Sequence, residues 1–360
     1  MQGNALMTGT FEYIRRPLVT NIKKGMKVLV VTDTAHDPRV WQVVMATLSE
    51  LGADAFLALF DPRPADYYDP PSAVCEAMTK VDVNILLAST GMLHCPANHN
   101  AMAAGVPVIC MDGGMTLEMF QSGAVTEDQK QMATRLHYVA TNVFGKDAKI
   151  CRVTSKYGTD LTYSVENRIF IPKLPDDTYQ PYKISDFGRS KKSPLIRFLY
   201  PNGECNVPPV EASANGTLVI DLCMHQLGRL KDHISLTIKD GRVTKIEGGA
   251  DAYTLRTYLE TYGDENAYIC PAEASVGINS KAVIRGVQRE DKNILGSMHF
   301  GLGTNVDVGG TVHSNIHMDG VILEPTLYVD GKKRIEHGRF LVPTEGPAQP
   351  QGARTEELVK

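Results

Sequence analysis

His317-Met318-Asp319 is the sharpest chemical feature of the chain. On a β-strand, residues two apart project to one face, so the His317 imidazole and the Asp319 carboxylate are expected to converge on one point. Mixed nitrogen and oxygen donors of this kind suit Zn²⁺, Mn²⁺ or Fe²⁺. An isolated His-x-Asp is more often hydrogen-bonded structure than a metal site, so its context matters. His299 sits among apolar residues and glycines in Met298-His299-Phe300-Gly301-Leu302-Gly303. Glu273 lies in Cys270-Pro271-Ala272-Glu273-Ala274-Ser275, where burying a carboxylate is costly unless it is paired or metal-bound. Glu204 follows the turn Pro201-Asn202-Gly203. Glu204, Glu273, His299, His317 and Asp319 together supply enough donors for one or two divalent ions, with Zn, Mn or Co suiting hydrolysis and Fe(II) suiting oxygen chemistry.

Other residues are candidates for substrate handling. His94 is a candidate general acid or base, since an imidazole titrates near neutrality; a surface loop histidine is the plain alternative. Arg39 follows a turn at the carboxyl end of a strand, where open α/β sheets bind ligands, and is expected to hold a substrate carboxylate or simply to coat a helix. Lys156 and Asp160 are expected to line the same cleft, with Asp112 as a weaker candidate. His225, His233, His313 and His337 are expected to be structural or exposed, with His313 as a candidate support for His317.

The elements that must position these residues change character along the chain. Lys27–Thr32, Ala55–Leu59, Val83–Ala88 and Val106–Met111 read as short apolar strands. They are separated by helical patterns over Val40–Leu51, for which Asp37 is the N-cap and Pro38 the first residue, and over Ala73–Thr79. This alternation predicts an N-terminal Rossmann-like parallel sheet domain over 1–148. A long helix is expected over Glu127–Phe144. Strands with glycine turns then dominate, with Lys239-Asp240-Gly241-Arg242 as a hairpin signal and a helix over Asp251–Tyr262. Residues 149–342 are therefore expected to form an α+β, largely antiparallel metal-binding domain, followed by a flexible tail over 343–360.

Neither a G-x-G-x-x-G after the first strand nor a G-x-x-x-x-G-K-[ST] is present, so no dinucleotide or ATP is expected. A net charge of −4 in 360 residues gives no basic excess for nucleic acid. The seven cysteines form no C-x-x-C pair and imply a reducing compartment rather than a disulfide framework. The N-terminus lacks an apolar leader, and no run approaches the ~18 apolar residues of a membrane span, so a cytoplasmic protein is expected. The partners expected are a small-molecule or peptide substrate and further copies of the chain in a homo-oligomer.

Three blocks resemble the thermophilic metallo-aminopeptidase (aminopeptidase T) family: Pro201-x-Gly203-Glu204 followed by Asn215-Gly216, the Glu273 block, and His299-Phe300-Gly301-Leu302-Gly303 with His317-x-Asp319. The resemblance implies that these Glu, Glu, His, His and Asp residues hold two metals, with a bridging water attacking a peptide carbonyl. Asn305, Val306 and Asp307 stand where that family carries a tyrosine. The chain also resembles, nearly end to end, a related branch, the iron-dependent dihydroxypyridine ring-cleaving dioxygenases. The shared blocks include Asp37-Pro38-Arg39, Met92-Leu93-His94-Cys95-Pro96, Ser155-Lys156-x-Gly158-x-Asp160 and Asn305-x-x-Val308-Gly309-Gly310. This second resemblance implies one Fe(II) held by two histidines and an aspartate, with His94 as a catalytic histidine. Glu273 stands where those enzymes place their first iron-binding histidine.

The donor set leads us to expect a metal-dependent hydrolase of an amide-like bond. Glu273 is then a bridging ligand or water-activating base, and His94 protonates the leaving group. The alternatives are an Fe(II) ring-opening dioxygenase of a hydroxylated pyridine such as 2,5-dihydroxypyridine, and an inert binding protein with a relic site.

Overall fold

The computed structural model describes residues 11–145, 147–168, 189–190, 193–194 and 197–345. The tail expected from 343 is described only through Glu345, and the remainder lies outside the described residues. The architecture is mixed α/β, with one parallel sheet and separate antiparallel sheets.

The parallel sheet runs in the order Asp54–Phe60, Lys27–Asp33, Val83–Leu86, Val108–Cys110, Arg197–Leu199. Numbered along the chain this is 2-1-3-4-5, a doubly wound order whose ligands gather beyond the carboxyl ends of the strands. Val28, Leu29, Val30 and Val31 are fully buried, because helices cover both faces of a parallel sheet. The helix Pro38–Glu50 buries Val40, Val43, Val44, Thr47 and Leu48 on one stripe. Asp37 caps it, Oδ1 accepting from the Arg39 amide at 2.9 Å. The fifth strand, Arg197–Leu199, comes from beyond residue 148, and three residues carry too short a pattern to be read as a strand in sequence.

The segment expected to be one helix over Glu127–Phe144 is in fact several. A 3₁₀ turn at Gly123–Thr126 precedes an α-helix at Gln129–Tyr138, which passes into a π-helix at Val139–Phe144. Asp128 starts the α-helix by accepting from the Lys130 and Gln131 amides at 2.9 Å.

An antiparallel sheet of eight strands includes the hairpin Ile234–Lys239 and Arg242–Glu247. Its two-residue loop has φ of 49° at Asp240 and 71° at Gly241, the paired positive angles that the Asp-Gly signal anticipates. The second antiparallel sheet runs Glu204–Val207, Ala274–Gly277, Met298–Gly303, His317–Ile322, Cys223–Met224, Gly228–Arg229. Its apolar side chains, Cys205, Val276, Phe300, Leu302 and Met318 among them, join one core with the eight-stranded sheet. Its opposite face meets the loops that follow the parallel strands, and a cleft lies between them.

Candidate metal centre

Period-two alternation builds the floor of this cleft. In Met298–Gly303 the residues Met298, Phe300 and Leu302 enter the core, which turns His299 and Gly301 toward the cleft side. In His317–Ile322, Met318 enters the core while His317 and Asp319 share the cleft face, as the His-x-Asp spacing predicts. Gly301 pairs with Asp319 and Gly303 with His317 across the antiparallel ladder. Glu273 is delivered beside them by the bond from the Gly301 amide to the Glu273 carbonyl at 2.9 Å. Glu204 opens the neighbouring edge strand opposite Gly277.

The five donors expected from sequence therefore meet. His317 Nε2 lies 3.1 Å from Asp319 Oδ1 and 3.3 Å from Glu273 Oε2. His299 Nε2 lies 3.5 Å from Glu273 Oε1 and 3.6 Å from Glu204 Oε2. They form two three-donor groups sharing Glu273: Glu204, Glu273, His299 and Glu273, His317, Asp319. Lys292 Nζ reaches Glu204 Oε2 at 3.1 Å and Asp319 Oδ2 at 3.3 Å.

These residues fit a divalent metal on three grounds. Fully buried His299 makes no hydrogen bond through either ring nitrogen among the described residues, an arrangement native interiors avoid unless something else binds there. Gly301 leaves room: a Cβ there would stand 3.1 Å from His317 Cε1 and 3.3 Å from Asp319 Oδ1. The outer atoms of the ligands are held, which orients the inner ones. His317 Nδ1 donates to the Thr304 carbonyl at 2.7 Å, and Asn206 Nδ2 donates to Glu273 Oε1 at 2.8 Å. His313 does not support His317; Thr304 does.

Without an ion, the imidazoles, carboxylates and Lys292 stabilise one another's charged forms. Burial works to raise the Glu273 and Asp319 carboxyls, but the facing imidazoles, and at Asp319 the Lys292 ammonium, outweigh it and hold both well below the usual carboxylate range. Burial works to lower His317, but Asp319 and Glu273 push it well above its usual value. The protein's cofactor is a divalent metal, and this cluster has the donor types to hold one.

The roof comes from the parallel-sheet loops. His94 stacks at a tilt on His317, ring centroids 4.9 Å apart, with Tyr67 edge-on to it at 5.1 Å. The His94 Nδ1 is hydrogen-bonded to Asp307 Oδ2, which also accepts from His99 Nε2 at 2.9 Å. Burial would raise the Asp307 carboxyl, but the two histidines hold it well below its usual value. Arg289 is buried in the cleft wall, its Nη2 on Asp112 Oδ1 at 2.9 Å and on Cys110 Sγ at 2.7 Å.

Three expected substrate residues are not brought here. Arg39 is exposed and clasps Asp37 at 2.6 Å. Asp160 pairs with Arg152 at 2.7 Å and Lys156 with Glu324 at 2.8 Å, all on the surface. Conversely, His225, expected to be structural, lines the cleft and pairs with buried Asp66 at 2.7 Å. Gln288, Arg289, Lys292 and Asp307 were missed as site residues. Gln288 and Arg289 lie on, and Lys292 just after, the one-turn helix Gln288–Asp291, and Asp307 lies in the 3₁₀ turn Val306–Val308; both elements are too short to carry a periodic signal. No helix among the described residues is long and apolar enough to cross a membrane.

A family model described as NicX, 2,5-dihydroxypyridine 5,6-dioxygenase, matches residues 12–342. A curated relative, the 2,5-dihydroxypyridine 5,6-dioxygenase of Pseudomonas putida, is 24% identical over 371 residues, covering 96% of this chain and 99% of the relative. The solved 2,5-dihydroxypyridine dioxygenase of Pseudomonas putida KT2440 superposes with a TM-score of 0.67 at 19% identity, covering 93% of this chain and 97% of that one. AmpT from Thermus thermophilus superposes at 0.62 with 13% identity, covering 92% and 99%. The expected resemblance to the ring-cleaving branch is borne out by the family match, and the AmpT likeness shows a shared fold. The aminopeptidase-like metallohydrolase is not borne out: the family match and the curated relative both name an oxygenase. The donor types misled because carboxylates and imidazoles serve hydrolytic and oxidative metals alike. By the match across 12–342, this chain belongs to the NicX, 2,5-dihydroxypyridine 5,6-dioxygenase, family.

Proposed function

We propose that this protein is an Fe(II)-dependent dioxygenase that opens the ring of a dihydroxylated pyridine. The observation that carries the reading is the family match over residues 12–342, joined to a cleft in which a cluster of histidines and carboxylates faces His94. Bound ferrous iron supplies open coordination positions and one-electron chemistry that lets dioxygen react with an electron-rich ring. His317, Asp319 and Glu273 are the residues that would hold it.

The chain's own residues do the rest. With Nδ1 committed to Asp307, His94 exchanges protons through Nε2, taking a hydroxyl proton from the substrate and returning it as the ring opens. The Arg289 Nε is buried and makes no hydrogen bond among the described residues, so it suits the anionic oxygen of a deprotonated pyridinol. Arg289→Lys keeps the charge but loses the planar fork; KM is expected to rise by about 10-fold or more with kcat less affected. In this reading the Rossmann-like unit, dividing from the metal-binding unit near residue 148, brings His94 and the antiparallel unit brings the metal.

The test is oxygen uptake. Protein loaded anaerobically with Fe(II) and mixed with 2,5-dihydroxypyridine should consume dioxygen in step with substrate loss and carry both oxygen atoms into product. Substrate turnover without oxygen uptake, or no turnover at all, overturns the proposal.

A further inference from the structure

Lys292 is an ammonium set inside a cluster of metal donors. Its Nζ spans the two donor groups, 3.1 Å from Glu204 Oε2 on one side and 3.3 Å from Asp319 Oδ2 on the other. The side chain is buried, and it follows directly on the short helix Gln288–Asp291.

Charge balance limits what else can enter. Glu204, Glu273 and Asp319 bring three negative charges to the cluster and Lys292 brings one positive. One divalent ion makes the sum zero. A second would leave two positive charges uncompensated in a buried site, which is costly unless Lys292 is expelled. Arg289 offers no relief, because it is already paired with Asp112.

The partners of the donors divide the same way. In the group formed by Glu273, His317 and Asp319, every ligand has its outer atom held. Thr304 accepts from His317 Nδ1, Asn206 donates to Glu273 Oε1, and Gln288 and Lys292 both donate to Asp319 Oδ2. Such partners fix a ligand's orientation and strengthen metal binding. In the other group, neither nitrogen of His299 is hydrogen-bonded among the described residues, and Glu204 faces Lys292.

We infer that the Lys292 ammonium, bridging Glu204 and Asp319, takes the place a second divalent ion would occupy beside the one proposed above for His317, Asp319 and Glu273. The inference rests on the metal-dependent reading above but not on the identity of the substrate.

The experiment loads the full chain with Mn(II) without oxygen, dialyses away free ion, and counts Mn by elemental analysis beside its electron paramagnetic resonance. Wild type should hold one Mn per chain with the spectrum of an isolated ion. Lys292→Met should hold two, with the spectrum of a magnetically coupled pair. Two ions in the wild type, or one in Lys292→Met, overturns the inference. Should Lys292→Met not fold, Glu204→Gln decides: one Mn retained supports the inference, and loss of Mn makes Glu204 a ligand and overturns it. A failure of oxygen uptake with 2,5-dihydroxypyridine leaves these counts untouched, so the two readings fail separately.

Discussion

On the proposed reading His94 carries the proton chemistry of the cleft, and Asp307 holds its Nδ1. Removing the imidazole in His94→Gln is expected to lower kcat by about 10²–10⁴-fold while metal content stays at the wild-type level; loss of metal along with activity would count against a proton role. Asp307→Asn should cost less, about 10–100-fold. Asp307 also makes an acid-side prediction. Its carboxyl lies well below its usual value because of His94 and His99, against the effect of burial. A depressed carboxyl stabilises the fold above its unfolded pKa of about 3.9, and the contribution is lost as pH falls through the folded value. The melting temperature of Asp307→Asn should therefore fall less steeply than wild type between about pH 5 and pH 3. Parallel curves would refute the assignment.

At the scale of the element, two neighbouring strands do most of the positioning. Met298–Gly303 and His317–Ile322 each alternate core and cleft residues, and their register sets Gly301 opposite Asp319. A methyl at Gly301 would crowd His317 and Asp319. Gly301→Ala is expected to weaken divalent-metal affinity by about 10-fold or more, since ligands displaced by a few tenths of an ångström no longer match the ion. Calorimetric titration with Mn(II) checks this, and an unchanged affinity would show that the glycine serves the backbone alone. The segment Ile294–Leu323 that holds both strands was legible in sequence as rich in glycine and β-branched residues, and His-x-Asp was readable because strand geometry alone places i and i+2 on one face. The helix Gln288–Asp291 was not legible, because one turn repeats nothing.

At the scale of the whole molecule, the cleft exists because the loops beyond the parallel strands close over an antiparallel sheet. A metal held on the floor would join them indirectly, because Tyr67 from the roof donates to the His317 carbonyl at 2.7 Å and His94 stacks on the same residue. A ligand that binds the folded chain alone stabilises it by about 2.7 kcal/mol at one hundred times its Kd. Chelator treatment should accordingly lower the melting temperature by several degrees, with recovery on adding Fe(II) or Mn(II) without oxygen. A melting temperature indifferent to chelator would argue that the donors hold no ion in the folded protein.

The sequence by itself determined the donor types, the His317–Asp319 pair, the parallel-then-antiparallel texture and the Asp240-Gly241 hairpin, because each rests on local geometry that a few neighbouring residues impose. Tertiary structure decided what each side chain meets. It drew Lys156 and Asp160 into surface pairs with Glu324 and Arg152. It set Lys292 between Glu204 and Asp319, and it joined His94 to Asp307, 213 residues away. Contacts between distant segments follow from how sheets pack and which loops their edges bring together, and no local pattern encodes that. The same five donor types suit hydrolytic and oxidative metals alike, whereas their setting, with the Lys292 ammonium between Glu204 and Asp319, exists only in three dimensions.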